Sequence, residues 1–336
     1  MNLKQPNIFE SIVYFLLPRP FDFIFKGTIF WGIYGITIAI LRFSNDLQLF
    51  FIALALFFVH DFLIKQATYI WNDIRDINSD LVHPHKNRRY IPKYSAIKQG
   101  KIFYFIRIIL GVIFTIVIYI KYEIWWFPVI ILGTLILQYL YDTWAKKRDS
   151  KRLIIAAVGY SERVIPAVLV IMWYKNYYDV ILLILLTGWV ISFAFVFLAA
   201  YWWAEKVFEL RISFAPKQSW FIENGQRVRK ISSLVMFIFG AIITVIYSQL
   251  GNYLLFTNIF ILFICNMLLL IYIKKPFDFK IRTCALVILA IISILLWIFG
   301  STFIKWFIFV GIIPLYFNIM YSYISYEDIN MISMTK

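Results

Sequence analysis

Apolar runs of about 18 residues or more recur along the whole of this chain. Each is long enough to cross roughly 30 Å of hydrocarbon as a helix. They lie near 21–44, 48–71, 102–121, 124–142, 153–174, 179–203, 231–249, 253–273, 283–300 and 302–322. Inside a bilayer every backbone N–H and C=O needs a partner from the chain itself, so only helices and closed barrels cross. These runs are too long and too continuous for barrel strands. The expectation is an all-α integral membrane protein, a bundle of nine to ten transmembrane helices in a single polytopic domain over 1–336. Ten spans is the direct reading; nine follows if the last run lies in the interface or two runs merge. The composition agrees, with 62% hydrophobic residues and 34 Phe.

The N-terminal stretch "IFESIVYFLLPRP" is short, carries Glu10 and ends in Arg19–Pro20. It does not read as a cleavable signal peptide. It reads as an amphipathic segment lying on the membrane before the first span. Cys265 and Cys284 fall in or beside apolar runs. With no third or fourth soft ligand in reach, they read as packing residues without a metal or disulfide role.

A net charge of +15 raises the question of nucleic acid, and its placement answers it. Of the 33 Lys and Arg, 22 fall in four loops: 72–101, 143–152, 204–230 and 274–282. The loops between them hold little more than Arg42, Lys121, Lys175 and Lys305. This alternation is the positive-inside pattern. It predicts that the four charged loops cap the bundle on the cytoplasmic side of the membrane, with no nucleic-acid partner.

Orientation alone does not explain the carboxylates in "YIWNDIRDINSD", residues 69–80, where the second span ends. Asn72, Asp76 and Asp80 are four apart, so on a helix they form one stripe, with Asp73 beside it. Like charges at that spacing destabilise a bare helix, and a positive partner is expected among them. One or two carboxylates, completed by water and phosphate oxygens, is the usual protein site for Mg²⁺. The following "LVHPHKNRRYIPK" supplies Lys86, Arg88, Arg89 and Lys93, donors suited to a diphosphate shared with the metal. His83 and His85 read as polar loop residues. In the second span, Asp61 and Lys65 are at i, i+4 and suited to pairing, with His60 adjacent. Arg107, early in the third span, reads as snorkelling to the interface.

The array Asn72-Asp73-x-x-Asp76-x-x-x-Asp80, followed by His83-Pro84-x-Lys86-x-x-Arg89, resembles the first aspartate-rich motif of the UbiA superfamily of intramembrane prenyltransferases. The "HPxKxxR" continuation is similar to its decaprenyl-phosphate phosphoribosyltransferase branch, although "RYIPKY" stands where that branch has "RPIxxG". "LYDTWAKK" resembles the family's Y-x-x-x-x-K segment and gives Tyr141 and Lys146. "AAVGYSERVIPA" resembles a stretch with one Arg inside the fifth helix and gives Arg163. "AEKVFEL" is similar to the branch's A-K-R-x-A-E-L, with Glu205 and Glu209 at the spacing of a second D-x-x-x-D and Lys206 between them. Arg19 and Lys26 stand near the branch's N-terminal basic motif.

The resemblance implies helices around a central cavity, capped by the charged loops. It implies Mg²⁺-dependent substitution at a carbon bearing diphosphate. Asn72, Asp73, Asp76 and Asp80 would hold Mg²⁺; Asp73, Asp76, Asp80, Lys146 and Arg163 would be catalytic; Lys86, Arg89, Tyr141, Lys206 and Glu209 would bind the donor. The expected activity moves phosphoribose from 5-phosphoribosyl diphosphate to a polyprenyl phosphate lipid. The alternative moves a polyprenyl group from its diphosphate to an aromatic or other small acceptor. A transporter is the reading from a different class, since intramembrane charges also mark ion pathways; it would place carboxylates mid-span in both halves.

Overall fold

The computed structural model describes residues 6–41, 43, 47–83, 86–146, 148–211 and 219–248. The expected spans near 253–273, 283–300 and 302–322, the loop 274–282, His85, Cys265 and Cys284 lie outside the described residues. Among those described, every regular element is helical. Six segments are long and apolar enough to cross a membrane: Leu47–Arg75, Ile97–Tyr122, Trp126–Ala145, Asp149–Tyr174, Val180–Trp203 and Arg227–Tyr247. The first predicted span falls on a helix over Pro20–Leu41, of which Ile29–Ile38 is a shorter apolar stretch. Over its described residues the chain is thus all-helical, with the several apolar helices of a multi-pass membrane protein. Its residues group into two compact units, Met1–Gly27 with Asp46–Thr143 and Thr28–Asn45 with Trp144–Lys336.

In the first unit, α1 (Ile8–Leu16) is followed by α2 (Pro20–Leu41), whose first turns belong here. The second predicted span is not one continuous α-helix. α3 (Leu47–Phe57) widens into a π-helix over Phe58–Lys65 and resumes as α4 (Gln66–Arg75). α5 (Ile77–Val82) and the five-residue α6 (Tyr90–Tyr94) follow. α7 (Ile97–Tyr122) and α8 (Trp126–Leu140) are the next two spans, and α8 ends in a second π-turn over Tyr141–Ala145.

α1 starts because Asn7 caps it, its side-chain oxygen accepting from the Glu10 backbone N–H at 2.6 Å. That satisfies one of the N–H groups a helix start leaves without an internal partner. Its apolar residues Ile8, Phe9, Ile12, Val13 and Leu16 are exposed on one side. Tyr14 turns inward from the other. The amphipathic segment is therefore present, and its inward face packs on its own unit.

Helix α7 approaches the π-helix closely at Gly111. A Cβ there would stand 2.4 Å from Ile64 Cδ1 and 3.0 Å from Ile64 Cγ1. One turn earlier, Arg107 is buried rather than snorkelling, at 1% exposure. Its guanidinium donates to the carbonyls of Phe62 and Leu63 on the π-helix and of Phe15 and Leu16 at the end of α1. The Phe62 ring lies 4.8 Å from the charge. A helix end leaves carbonyls without partners, and the close approach at Gly111 brings a forked donor to them. The expectation of an interfacial Arg107 fails because these carbonyls offer it a better-satisfied place inside.

In the second unit, α9 (Asp149–Val158) and α10 (Ser161–Tyr174) form one apolar segment broken at Gly159–Tyr160. α11 (Val180–Arg211) and α12 (Trp220–Ser248) pair antiparallel. Trp202 meets Phe221 at 5.1 Å near one end, and Tyr247 donates to Asp179 at 2.7 Å near the other. Gly188 lets the Phe239 ring in, at 2.5 Å from where a Cβ would be.

Substituting Gly111→Val forces branched carbons into the Ile64 contact. The expected result is a loss of about 1–3 kcal/mol of stability, read as a lower thermal midpoint in detergent. Arg107→Met is expected to cost more, because the carbonyls of Phe15 and Leu16 at the end of α1 then lose their donor, at about 1–3 kcal/mol each. An Arg107→Met midpoint no lower than that of Gly111→Val would count against the carbonyl clamp.

Candidate functional site

The acidic stretch does not continue as one helix. Asp76, with φ −88° and ψ 4°, ends α4 at Arg75, and α5 begins at Ile77. Ser79 Oγ donates to the Asp76 carbonyl at 2.8 Å and holds the restart. Asp favours such side-chain and backbone alternatives over helix interior. The backbone bonds from Asp76 N–H to Asn72 O at 2.9 Å and from Asp80 N–H to Asp76 O at 2.8 Å still run along the predicted stripe, and Asp73 and Asp80, seven residues apart, share a helix face. Asn72 and Asp76 are half-buried; Asp73 and Asp80 are the buried carboxylates, at 2% and 3% exposure.

Arg89 joins those two. Its Nη1 donates to Asp80 Oδ2 at 2.8 Å and reaches Asp73 Oδ1 at 3.5 Å. Arg19 Nη2 donates to the same Asp73 oxygen at 2.5 Å, and the Tyr14 hydroxyl donates to Asp73 Oδ2 at 3.1 Å. Asp73, flanking the predicted stripe, is the hub. Arg19 also lies 5.0 Å from the centre of the Tyr69 ring, whose hydroxyl accepts from Lys26 Nζ at 2.6 Å. Both basic residues suggested by the N-terminal resemblance thus sit on the α4 face that carries Asp73.

The aromatic support was not legible in the sequence. Tyr14 stacks on Tyr90, rings 4.4 Å apart and 11° from parallel. Tyr90 donates to Gln99 Oε1 at 2.6 Å, and Ser11 Oγ lies 2.8 Å from the same phenol. Tyr94 donates to Glu10 at 2.6 Å and Lys93 to its other oxygen at 3.1 Å.

Burial pushes the Asp80 carboxyl above its usual range; Arg89 and Lys86 pull it down, while Asp76 and Asp73 raise it further. The Tyr14 phenol is held well above its usual range by burial and by the Asp73 charge. Lys86 is half-buried beside the loop, its backbone N–H donating to His83 Nδ1 at 3.3 Å. His83 is thus a loop residue, as read from the sequence.

In the second span, Asp61 bonds His60 Nδ1 at 2.9 Å, and His60 Nε2 lies 3.2 Å from Thr134 Oγ1. Lys65 is buried on the same π-helix. Tyr141 is half-buried and opens the second π-turn, where buried Asp142 accepts from Gln138 at 2.8 Å. In the second unit, Lys146 is half-buried after that π-turn. Arg163 and Glu162 are buried in the first turn of α10. Glu205 and Lys206 are half-buried on α11. Glu209 lies on the same helix; its side chain, like that of Arg88, lies outside the described residues.

Among the described residues, no three Asp, Glu, His or Cys side chains gather as a ready metal-ligand set. Two buried carboxylates converge on one guanidinium, with a third acidic charge close enough to bear on Asp80. That oxygen-only pair fits Mg²⁺ brought in with substrate phosphate better than a closed protein cage. Comparison of the chain with protein families, with curated proteins and with solved structures gives no match.

The two carboxylates Asp80 and Glu10 should respond oppositely to pH. The folded pKa of Asp80 is raised, so its ionised form costs stability above that pKa, and the cost vanishes at acid pH. Asp80→Asn is therefore expected to melt higher than wild type near neutral pH, with the gap closing towards about pH 4. The Tyr94 and Lys93 donors hold the Glu10 pKa below its usual value. Its contribution is present at neutral pH and lost as pH falls through the folded pKa, so Glu10→Gln should melt lower, again converging in acid. Parallel thermal melts over that range check both signs.

Proposed function

We propose that this chain is a Mg²⁺-dependent intramembrane transferase of the UbiA prenyltransferase type, moving phosphoribose from 5-phosphoribosyl diphosphate to a polyprenyl phosphate. The observation that carries the reading is the Asp73–Arg89–Asp80 cluster at the end of a membrane-length helix, with Arg19 and Lys86 beside it. Two buried carboxylates held among several cations suit a metal-bound diphosphate, whose oxygens take both kinds of partner. The skew of Lys and Arg supports a site that opens to the cytoplasm. The apolar spans supply the lipid environment that a polyprenyl tail needs.

Asp73 and Asp80, with Asn72 and Asp76 near them in sequence, would hold Mg²⁺. The bound ion would neutralise charge building on the leaving diphosphate. An acceptor phosphate oxygen bonds to ribose C1 as the bond from C1 to the diphosphate breaks, and the diphosphate leaves with the electron pair. Arg89 and Lys86 stabilise that developing charge; Arg19 and Tyr14 keep the Asp73 carboxylate fixed and oriented. Lys146, Arg163, Lys206 and Glu209 keep the phosphate- and donor-binding roles that the resemblance implies for them.

Membranes incubated with labelled 5-phosphoribosyl diphosphate, polyprenyl phosphate and Mg²⁺ should yield a labelled anionic lipid. Asp73→Asn and Asp80→Asn should each lower that turnover by about 10²–10³-fold while the protein still inserts and melts cooperatively. Turnover within about twofold of wild type in both variants would remove the cluster from the mechanism. Label from a polyprenyl diphosphate appearing on an aromatic acceptor, with none from the phosphoribosyl donor, would establish the prenyl-transfer alternative instead.

A further inference from the structure

A groove of about 1130 Å³ runs between α1 and the start of α7. Ile8, Ile12 and Phe15 of α1 form one wall, and Phe103 of α7 lies across from them. Lys98 and Lys101 also line it; both are exposed, three residues apart and therefore on one helix face. Among the described residues neither is paired with a carboxylate. Lys93, the other nearby cation, is taken by Glu10.

We propose that this groove binds an anionic phospholipid of the surrounding bilayer, its phosphate at Lys98 and Lys101 and an acyl chain along Ile8, Ile12 and Phe103. Three observations choose that occupant. Helix α7 is itself a membrane-length span starting at Ile97, so the lysines stand where hydrocarbon gives way to headgroups. The outer side of α1 exposes Ile8 at 81% and Phe9 at 73%, the pattern of a helix that lies in the interface plane. Apolar walls with cations at one end match a headgroup and tail; an acidic peptide would match the lysines and leave the apolar wall uncovered.

The site has a consequence for the carboxylate cluster. Helix α1 carries Tyr14 to Asp73 and offers its terminal carbonyls to Arg107. A lipid bridging α1 and α7 closes the same seam from outside, so occupancy stabilises the conformation in which Asp73 is held. Lipid in the groove is read from melting alone, without turnover, whatever reaction the chain performs.

The full chain, purified in detergent, would be melted while titrated with phosphatidylglycerol, phosphatidylcholine or inorganic phosphate. Phosphatidylglycerol should raise the thermal midpoint saturably, and the other two should not. A lysine near an anionic membrane surface is worth about 1 kcal/mol, or about fivefold in affinity. The double variant Lys98→Gln/Lys101→Gln should therefore need roughly 30-fold more phosphatidylglycerol for the same shift. Because both side chains are exposed, the variant should melt like wild type without lipid. Lys121→Gln, at the far end of α7, should respond as wild type does. Ile12→Ser should weaken the response without abolishing the preference for the anionic headgroup. An unchanged phosphatidylglycerol response in the double variant, or equal responses to all three additives, would overturn the proposal. So would a midpoint that follows protein concentration and ignores lipid, which would assign the groove to a second copy of the chain.

Discussion

Arg107 sits where the architecture of the first unit converges. A guanidinium at 1% exposure within a membrane-length helix is tolerable only if its donors are satisfied. Here they meet carbonyls from two elements far apart in sequence, the end of α1 and the π-helix of the second span. Flanking Phe15 and Phe62 rings add cation–π attraction at 5.6 and 4.8 Å. Each party needs the others. The carbonyls at the end of α1 have no intrahelical donor, and the charge has no solvent. Removing the arginine would take the donor from the α1 carbonyls.

From that clamp the candidate site follows outward. With the end of α1 fixed, Tyr14 is set one turn back against both Asp73 and Tyr90, and Arg19 lies just beyond to reach the same carboxylate. On the other side, Asp80 in α5 accepts from Arg89 at 2.8 Å. Two buried carboxylates and two guanidiniums balance in formal charge, yet burial still presses on Asp80. Such a cluster is poised for ligands that bring both cations and phosphate oxygens, which is the physical content of the proposed chemistry.

The interruptions in the apolar segments recur where polar side chains enter them. The π-helix over Phe58–Lys65 carries His60, Asp61 and Lys65; the π-turn over Tyr141–Ala145 carries Asp142; the break at Gly159 precedes Glu162 and Arg163. Non-helical backbone at membrane depth persists only where protein or a polar cavity can satisfy it. The two most enclosed segments are Leu47–Arg75 and Asp149–Tyr174, each more than half buried against 22–39% for the other four. π-bulges gather at functional sites for the same reason, since a widened turn redirects side chains that a regular helix would stack.

The sequence by itself determined the helical, multi-pass class, because an apolar run of that length has few other ways to satisfy its backbone in hydrocarbon. It also located the acidic stretch and the basic loop after it, since both are local patterns of charge. Periodicity also puts Asp73 and Asp80, seven residues apart, on one helix face; that Arg89 joins the two and Arg19 meets Asp73 was beyond it. Tyr14, Tyr90 and the inward place of Arg107 were likewise decided by packing between α1, the π-helix and α7. Contacts between residues 59 and 92 positions apart leave no periodic trace in the chain. Local spacing fixes what a helix presents, and only the tertiary structure decides which partner meets it.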